Sequence, residues 1–161
     1  LHVRRGGEFL MAAVPEGFRE TSIPSPFIVE NGPLYHKVED GFLLMGFRVE
    51  ARHTNAAAGL HGGMLMSFVD MQLNSALNYQ LDTAKFIPTV ALTVDFIAPA
   101  RIGDWVQGRT EVLKRGRTTI FCDGRVTLED GTLSARASGI FKIADRPDKE
   151  TDSLNPKEMF P

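Results

Sequence analysis

The sequence predicts an α+β fold in which an antiparallel, curved sheet packs around one long helix. Only residues 62–81 have a long run of helical periodicity, whereas two strand-like segments precede this run and four follow it. The helix is apolar on nearly all sides, since only Ser67, Asp70, Asn74 and Asn78 form a narrow polar stripe. The residues predicted to form its buried face are Leu65, Met66, Val69, Leu73, Ala76 and Leu77. An antiparallel sheet with a single helix must bury that helix against one sheet face.

Turn residues delimit six predicted strands. The strands cover residues 34–38, 42–51, 89–97, 105–114, 118–128 and 132–143. The pair Asp130–Gly131 is a strong signal for a two-residue hairpin. Within residues 89–97, apolar side chains from Val90 onwards alternate with Thr93 and Asp95, which is typical of a strand.

The 161 residues suit one domain with a sizeable core. We interpret residues 1–33 as a proline-rich arm that packs on the domain. Within this arm, residues 1–10 precede Met11, a candidate initiator, and are interpreted as vector or upstream-start residues. The predicted domain covers residues 34–144, and residues 145–161 form a charged tail.

Composition and charge exclude several function classes. A formal net charge of −2 argues against a general nucleic-acid-binding protein, and no apolar run approaches the roughly 20 residues needed to span a bilayer. The single cysteine, Cys122, cannot form an internal disulfide, and no secretory signal is recognised. We therefore expect a cytoplasmic protein with no nucleic-acid or membrane partner, and a buried, inert Cys122 thiol.

The most informative segment is the glycine pair that opens the long helix. Neither Gly62 nor Gly63 has a Cβ, so a ligand can approach the backbone closely, and free N–H groups at a helix N-terminus can hold an oxyanion. Asp70 lies eight residues after Gly62, about 12 Å along the helix axis. If both groups act on one substrate, Asp70 must therefore come from another subunit, as in a two-fold dimer. The alternative is that Asp70 belongs to a solvated polar stripe.

Other polar residues near this segment have two interpretations each. Asn55 could bind a carbonyl group or could be a turn residue, which is the commonest use of asparagine. His61 could support the loop before the helix as part of the site. A helix-capping role is favoured over that of a catalytic base. The spacing of His53, His61 and Asp70 matches no metal-ligand motif, so we expect no metal. The basic turn at residues 114–117 is either a soluble hairpin tip or a phosphate contact.

Three segments resemble the hotdog-fold acyl-CoA thioesterases of the PaaI-like branch. They are HTNAAAGLHGGMLMSFVD at 53–70, FIAPARIGD at 96–104 and LKRGRTT at 113–119. The resemblance extends from about residue 34 to residue 143, and the order of strands and helix agrees with it. It implies a hotdog fold, in which the curved sheet wraps around the long central helix.

The resemblance also implies residue roles. The backbone N–H of Gly62 would polarise the thioester carbonyl, and Asn55 would hold that oxygen or the attacking water. Asp70 from the partner subunit would act as general base or nucleophile, and His61 would support the loop. Thr89 lies where many relatives have a serine.

The implied function is hydrolysis of an acyl-CoA thioester to a free acid and CoA. Arg117 and Thr118 fall where relatives contact the coenzyme A arm, and no cofactor is required because coenzyme A is part of the substrate. The implied partners are acyl-CoA and further copies of the chain, as a homodimer or a dimer of dimers. A non-catalytic acyl-CoA-binding module and, third, a hotdog dehydratase or hydratase are the alternatives. The acyl group is left open between aryl, medium and long chains.

Overall fold

A computed structural model describes residues 13–23, 25–82, 87–143 and 160. These residues form one seven-stranded antiparallel sheet in the order β1-β2-β3-β5-β6-β7-β4. The strands are β1 Arg19–Glu20, β2 Tyr35–Glu39, β3 Phe42–Arg48, β4 Thr89–Phe96, β5 Trp105–Arg115, β6 Thr119–Leu128 and β7 Leu133–Lys142. The helices are α1 Pro26–Asn31, a 3-10 turn Ala51–His53, and α2 Gly62–Gln80. The predicted α+β class, with a sheet around one long helix, is confirmed, and this arrangement is the hotdog fold.

Helix α2 packs on the concave face of the sheet. Its fully buried side chains include Phe68, Leu73 and Leu77, and they contact apolar residues that β3, β5, β6 and β7 direct to the same face. The assignment of Met66 to the buried face was wrong, because its side chain is 41% exposed. Met66 lies one turn before Asp70, on the flank of α2 that the sheet does not cover. Across the residues described, no helix has both the length and the apolar content needed to cross a membrane.

Part of the predicted arm covers the outer face of the sheet. Phe18 packs edge-on against Trp105 with ring centroids 5.0 Å apart, and the Tyr35 ring contacts the same indole with centroids 5.6 Å apart. The Arg48 guanidinium donates a hydrogen bond to the Ala13 carbonyl oxygen. These contacts bury Trp105 almost completely and leave the outer face of β6, β7 and β4 uncovered by the described part of the arm.

The boundaries predicted for arm, domain and tail stay predictions. Residues 1–10 of the predicted arm and all but one residue of the predicted tail lie outside the described residues. The exception is Phe160, whose ring is 3% exposed and packs edge-on against the buried His36 of β2.

Strand β4 forms an exposed edge of the sheet. It pairs with β7 on one side only, and Val90, Phe96 and the following Ile97 are all more than half exposed. Thr89 lies opposite Phe141 and Ala91 lies opposite Ile140, so two residues of β4 advance while β7 advances by one. Val90 is therefore the extra residue of a β-bulge. The predicted alternation is therefore interrupted at Val90, and Thr89 shares the helix-covered face with Phe141.

Candidate active site

The bulge in β4 brings Thr89 against Asp70. Thr89 Oγ1 donates a hydrogen bond of 2.7 Å to Asp70 Oδ1. Asp70 is half-buried on α2 and Thr89 is exposed at the start of the edge strand. Oδ2 of Asp70 accepts no hydrogen bond from the described residues. A carboxylate with one oxygen oriented by a hydroxyl and the other open can take a proton from a bound water.

The second feature is the N-terminus of α2. His61 caps the helix, since its Nδ1 accepts a hydrogen bond of 2.9 Å from the Gly63 N–H and its carbonyl oxygen accepts from the Leu65 N–H. Nδ1 must therefore be unprotonated. The Gly62 N–H meets no acceptor in the described ranges. It is thus an amide donor at the positive end of a 19-residue helix.

Asn55 closes the loop that precedes this helix. Its Oδ1 accepts hydrogen bonds from the Ala57 N–H at 2.9 Å and from the Gly59 N–H at 3.3 Å. Ala58 has a φ of 60°, in the left-handed region, which the turn around Asn55 requires. The side chain thus serves the turn through Oδ1, while Nδ2 donates to no group among the described residues.

His53 supports the site, a role that the sequence analysis missed. Its ring is 2% exposed, with Nδ1 accepting from the Glu50 N–H at 3.0 Å and Nε2 facing the Asn31 carbonyl oxygen at 3.1 Å. Its own carbonyl oxygen accepts from the His61 N–H at 2.9 Å. Burial lowers the pKa of His53, and the Arg52 charge adds to this. The three-residue spacing of Glu50 and His53, typical of a helix cap, is the sequence signal that could have revealed this role.

The structure places the site residues in two groups at opposite ends of β4. Asp70 and Thr89 lie where β4 begins. Gly62 lies where β4 ends, since a methyl group added at Gly62 would be 3.5 Å from Phe96 Cζ. Asn55 and His61 belong with Gly62, in the adjoining loop. Along the helix axis, Asp70 and Gly62 are about 12 Å apart, so one chain does not bring the two groups together.

The basic turn lies at the same end of the sheet as Thr89. It joins β5 to β6, with Arg117 exposed and with the Thr118 carbonyl oxygen accepting from the Ile143 N–H at 2.9 Å. Ile120 of β6 is opposite Phe141 of β7, which is opposite Thr89 of β4. Two interstrand spacings, about 10 Å, therefore separate Thr89 from Ile120, which follows the turn by three residues.

The residues that the structure describes do not support a metal site. Among them, no three histidine, cysteine, aspartate or glutamate side chains lie close enough to hold one metal ion. Cys122 is fully buried on β6, and its Sγ–H faces the Gly139 carbonyl oxygen at 3.6 Å. Burial raises the pKa of the Cys122 thiol to about 12. A thiol of this kind is not a nucleophile at neutral pH.

Comparisons with known proteins agree with this fold. Residues 59–135 match the Thioesterase superfamily. A protein of Pseudomonas aeruginosa named "Putative esterase PA0474" is 33% identical over 135 residues, which are 83% of this chain and 99% of that protein. Human acyl-coenzyme A thioesterase 13 is 34% identical over 83 residues, 50% of this chain and 57% of the human protein. The E. coli PaaI protein, from the phenylacetic acid degradation operon, superposes with a TM-score of 0.67 at 23% identity, covering 75% of this chain and 86% of PaaI.

Proposed function

Because the chain belongs to the thioesterase superfamily, we propose that it is a PaaI-like member that hydrolyses an acyl-coenzyme A thioester to a free acid and coenzyme A. Family membership establishes thioester hydrolysis in general terms. The acyl-CoA class is supported by the similarity to acyl-coenzyme A thioesterase 13 and by the basic turn near Thr89. The observation that carries the mechanism is the position of the Asp70–Thr89 pair and of the Gly62 amide at opposite ends of one exposed edge strand.

A two-fold pairing of β4 with β4 of a second copy would complete the site. An exposed edge strand has unpaired N–H and C=O groups that another strand can meet, and Val90, Phe96 and Ile97 would be covered by the same contact. In an antiparallel pair related by a two-fold axis, the start of one strand lies beside the end of the other. Asp70 and Thr89 of one copy would then face Gly62 and Asn55 of the other, giving two equal sites.

The catalytic step follows from these groups. The Gly62 N–H holds the thioester carbonyl oxygen, and Asn55 Nδ2 is available to the same oxygen or to the attacking water. Water forms a bond to the carbonyl carbon and gives its proton to Asp70. The tetrahedral intermediate collapses, the C–S bond breaks, and the leaving thiolate takes the proton back from Asp70. Water is the only co-substrate, so these steps need no cofactor.

Binding of the coenzyme A portion is assigned to the basic turn. Arg117 is exposed and always charged, so its guanidinium can meet a phosphate of the nucleotide. Thr118 lies beside it, at the end of the sheet where the Asp70–Thr89 pair lies. The thioester would thus lie at the dimer seam while the nucleotide extends towards β5 and β6.

The test is thiol release from a panel of acyl-CoAs of different chain lengths and of aryl-CoAs. The purified chain should release thiol, and Asp70→Asn should lower kcat by about a hundred- to ten-thousand-fold with a smaller change in KM, because the base acts in the transition state. Circular dichroism should show an intact fold. Near-native turnover of Asp70→Asn would refute the mechanism. Acyl-CoA binding without thiol release would favour the non-catalytic module, and hydration of an enoyl-CoA without thiol release would favour the hydratase.

A further inference from the structure

The polar stripe of α2 forms hydrogen bonds with the protein itself. Its members Ser67, Asp70, Asn74 and Asn78 follow one another at intervals of three or four residues, so they lie on one flank of the helix. Ser67 bonds within the helix, since its Oγ donates to the Gly63 carbonyl oxygen at 2.9 Å. Asp70 accepts from Thr89, as described above. The two asparagines have no part in the mechanism so far.

The side-chain amide of Asn74 is directed at the start of β4. Its Nδ2 donates a hydrogen bond of 2.6 Å to the Ile87 carbonyl oxygen. Its Oδ1 accepts from Asn78 Nδ2 at 3.1 Å, and the same Asn78 nitrogen donates to the Asn74 carbonyl oxygen at 3.1 Å. Because backbone carbonyl oxygens only accept, the bonds to them fix the orientation of both amides. Asn78 thus holds Asn74 with its N–H groups towards Ile87.

Two hydrogen bonds therefore tie the start of β4 to one turn of α2. Asn74 bonds to Ile87, and Asp70, four residues earlier on the helix, bonds to Thr89, two residues later on the chain. Four residues of a helix advance about 6 Å and two residues of a strand advance about 6.6 Å, so the two bonds fit side by side. A slip of β4 by one residue would turn the Thr89 side chain to the other face of the sheet. The bond from Asn74 opposes such a slip.

The Ile87 carbonyl oxygen has no other donor among the residues that the structure describes. The next residue, Pro88, has no N–H, and its carbonyl oxygen accepts from the Lys142 N–H of β7 at 2.9 Å. The Ile87 side chain is buried in the core. The start of β4 is thus held by β7 on one side and by Asn74 on the other. Without the amide, the Ile87 carbonyl group would lose its partner at the edge of the core, which favours a rearrangement of this segment.

We propose that Asn74 is a positioning residue, which sets the hydrogen bond between Thr89 and Asp70 by holding the start of β4 against α2. It acts through Thr89 and takes no proton itself. The effect of Asn74 on the reaction rate rests on the proposed hydrolysis, whereas its effect on the order of β4 does not.

The kinetic test compares two amides of α2 that each donate to a backbone carbonyl oxygen. Asn74→Ala should lower kcat for an acyl-CoA by about tenfold with little change in KM, because the lost bond displaces a catalytic group and touches no substrate. Gln80→Ala is the matched control. Gln80 Nε2 donates to the Thr110 carbonyl oxygen of β5 at 2.9 Å, away from β4, so this variant should retain near-native kcat. If Asn74→Ala does not fold, Asn74→Leu removes the donor at similar volume.

A double-mutant cycle with Thr89→Val shows whether Asn74 acts through the Thr89 hydroxyl. If it does, Asn74→Ala should lower kcat by less than about twofold once that hydroxyl is absent. Multiplied losses in the double variant would overturn the proposal. Native kcat in Asn74→Ala, or an equal loss of kcat in Gln80→Ala, would also overturn it.

Hydrogen–deuterium exchange gives a readout that does not need activity. The backbone amides of residues 89–94 should exchange faster in Asn74→Ala than in the native chain, and at the native rate in Gln80→Ala. Unchanged exchange in Asn74→Ala would overturn the proposal. A native chain that releases no thiol would refute the proposed hydrolysis instead, and the exchange of β4 would then decide alone whether Asn74 positions this strand.

Discussion

At the scale of single residues, the proposed site depends on the hydrogen bond from Thr89 to Asp70. An ionised carboxylate has four lone-pair positions, and a hydroxyl that occupies one of them fixes the direction of the others. The bulge at Val90 gives Thr89 this orientation, so a local irregularity of the strand positions a catalytic group. Thr89 is accordingly a positioning residue in the proposed mechanism.

Replacing Thr89 tests this role. Thr89→Val keeps the shape and removes the hydroxyl, so kcat for an acyl-CoA should fall by roughly ten- to a hundredfold, the effect of losing one hydrogen bond to a charged group. Thr89→Ser retains the hydroxyl and should retain most of the activity. The two variants should have similar thermal stability, because residue 89 is exposed. Near-native kcat of Thr89→Val, with the loss confined to Thr89→Ser, would show that the methyl group, rather than the hydroxyl, matters.

The residue scale also shows what the sequence could and could not predict. A carboxylate in a largely apolar helix, eight residues after Gly62, indicated Asp70 and the need for two chains. The contact of Thr89 with Asp70 was not predictable from residues alone, because it depends on a bulge that alternation does not reveal. The exposure of Met66 was missed because the helix is apolar on nearly every side, so its pattern does not define which flank the sheet covers.

At the scale of elements, two buried histidines connect segments that are distant in the sequence. His53 joins α1, the 3-10 turn and the start of α2 through three hydrogen bonds. His36 Nδ1 forms a hydrogen bond of 3.2 Å with Thr21 Oγ1, and the Phe160 ring packs against the His36 ring. Burial lowers the pKa of both rings, with Arg52 contributing at His53 and Arg19 at His36. Burial thus favours the neutral form of both rings in the folded chain.

The stability of the fold should therefore depend on pH. The folded-state pKa of each histidine lies below its unfolded value near 6.5, so the unfolded chain binds more protons below that pH. The stabilising contribution is present above pH 6.5 and is lost as pH falls through the folded pKa, with a slope of at most about 1.4 kcal/mol per pH unit for each histidine. Urea unfolding between pH 7 and pH 5 should show this decline.

A matched variant identifies the residue responsible. His53→Gln offers an acceptor and a donor without titrating near neutral pH, so it should flatten the dependence although it lowers the overall stability. Retention of the full pH dependence by His53→Gln together with His36→Gln would show that other groups cause it.

The strand and helix patterns of the sequence predicted most of this architecture. Hairpin signals and the single long helix predicted six strands and α2 close to their observed bounds. The sheet order, the register and the three bulges depend on pairing between distant segments, so the sequence did not reveal them.

At the scale of the whole molecule, the central claim is that each active site needs two chains. The helix N-terminus and the Asp70–Thr89 pair lie at opposite ends of β4. Antiparallel pairing of β4 with β4 of a second chain would place the helix N-terminus of one chain beside the Asp70–Thr89 pair of the other.

Two inactive variants provide the most direct test. Asp70→Asn removes the base. Gly62→Pro removes the amide donor at the first helical position, where proline is tolerated, and the preceding His61 has the extended backbone that proline requires, with φ −67° and ψ 130°. Gly62→Ala is the control, since it keeps the N–H and its added methyl group would be 3.5 Å from Phe96 Cζ, an ordinary contact.

Each variant alone should be nearly inactive towards an acyl-CoA, whereas Gly62→Ala should retain activity. Mixed dimers of Asp70→Asn and Gly62→Pro contain one native site of two, so complete exchange of equal amounts should restore about a quarter of native activity. Native mass spectrometry confirms the exchange. Recovered activity that rises with the mixed-dimer fraction is the predicted result, and complete exchange with no recovered activity would contradict the two-chain site.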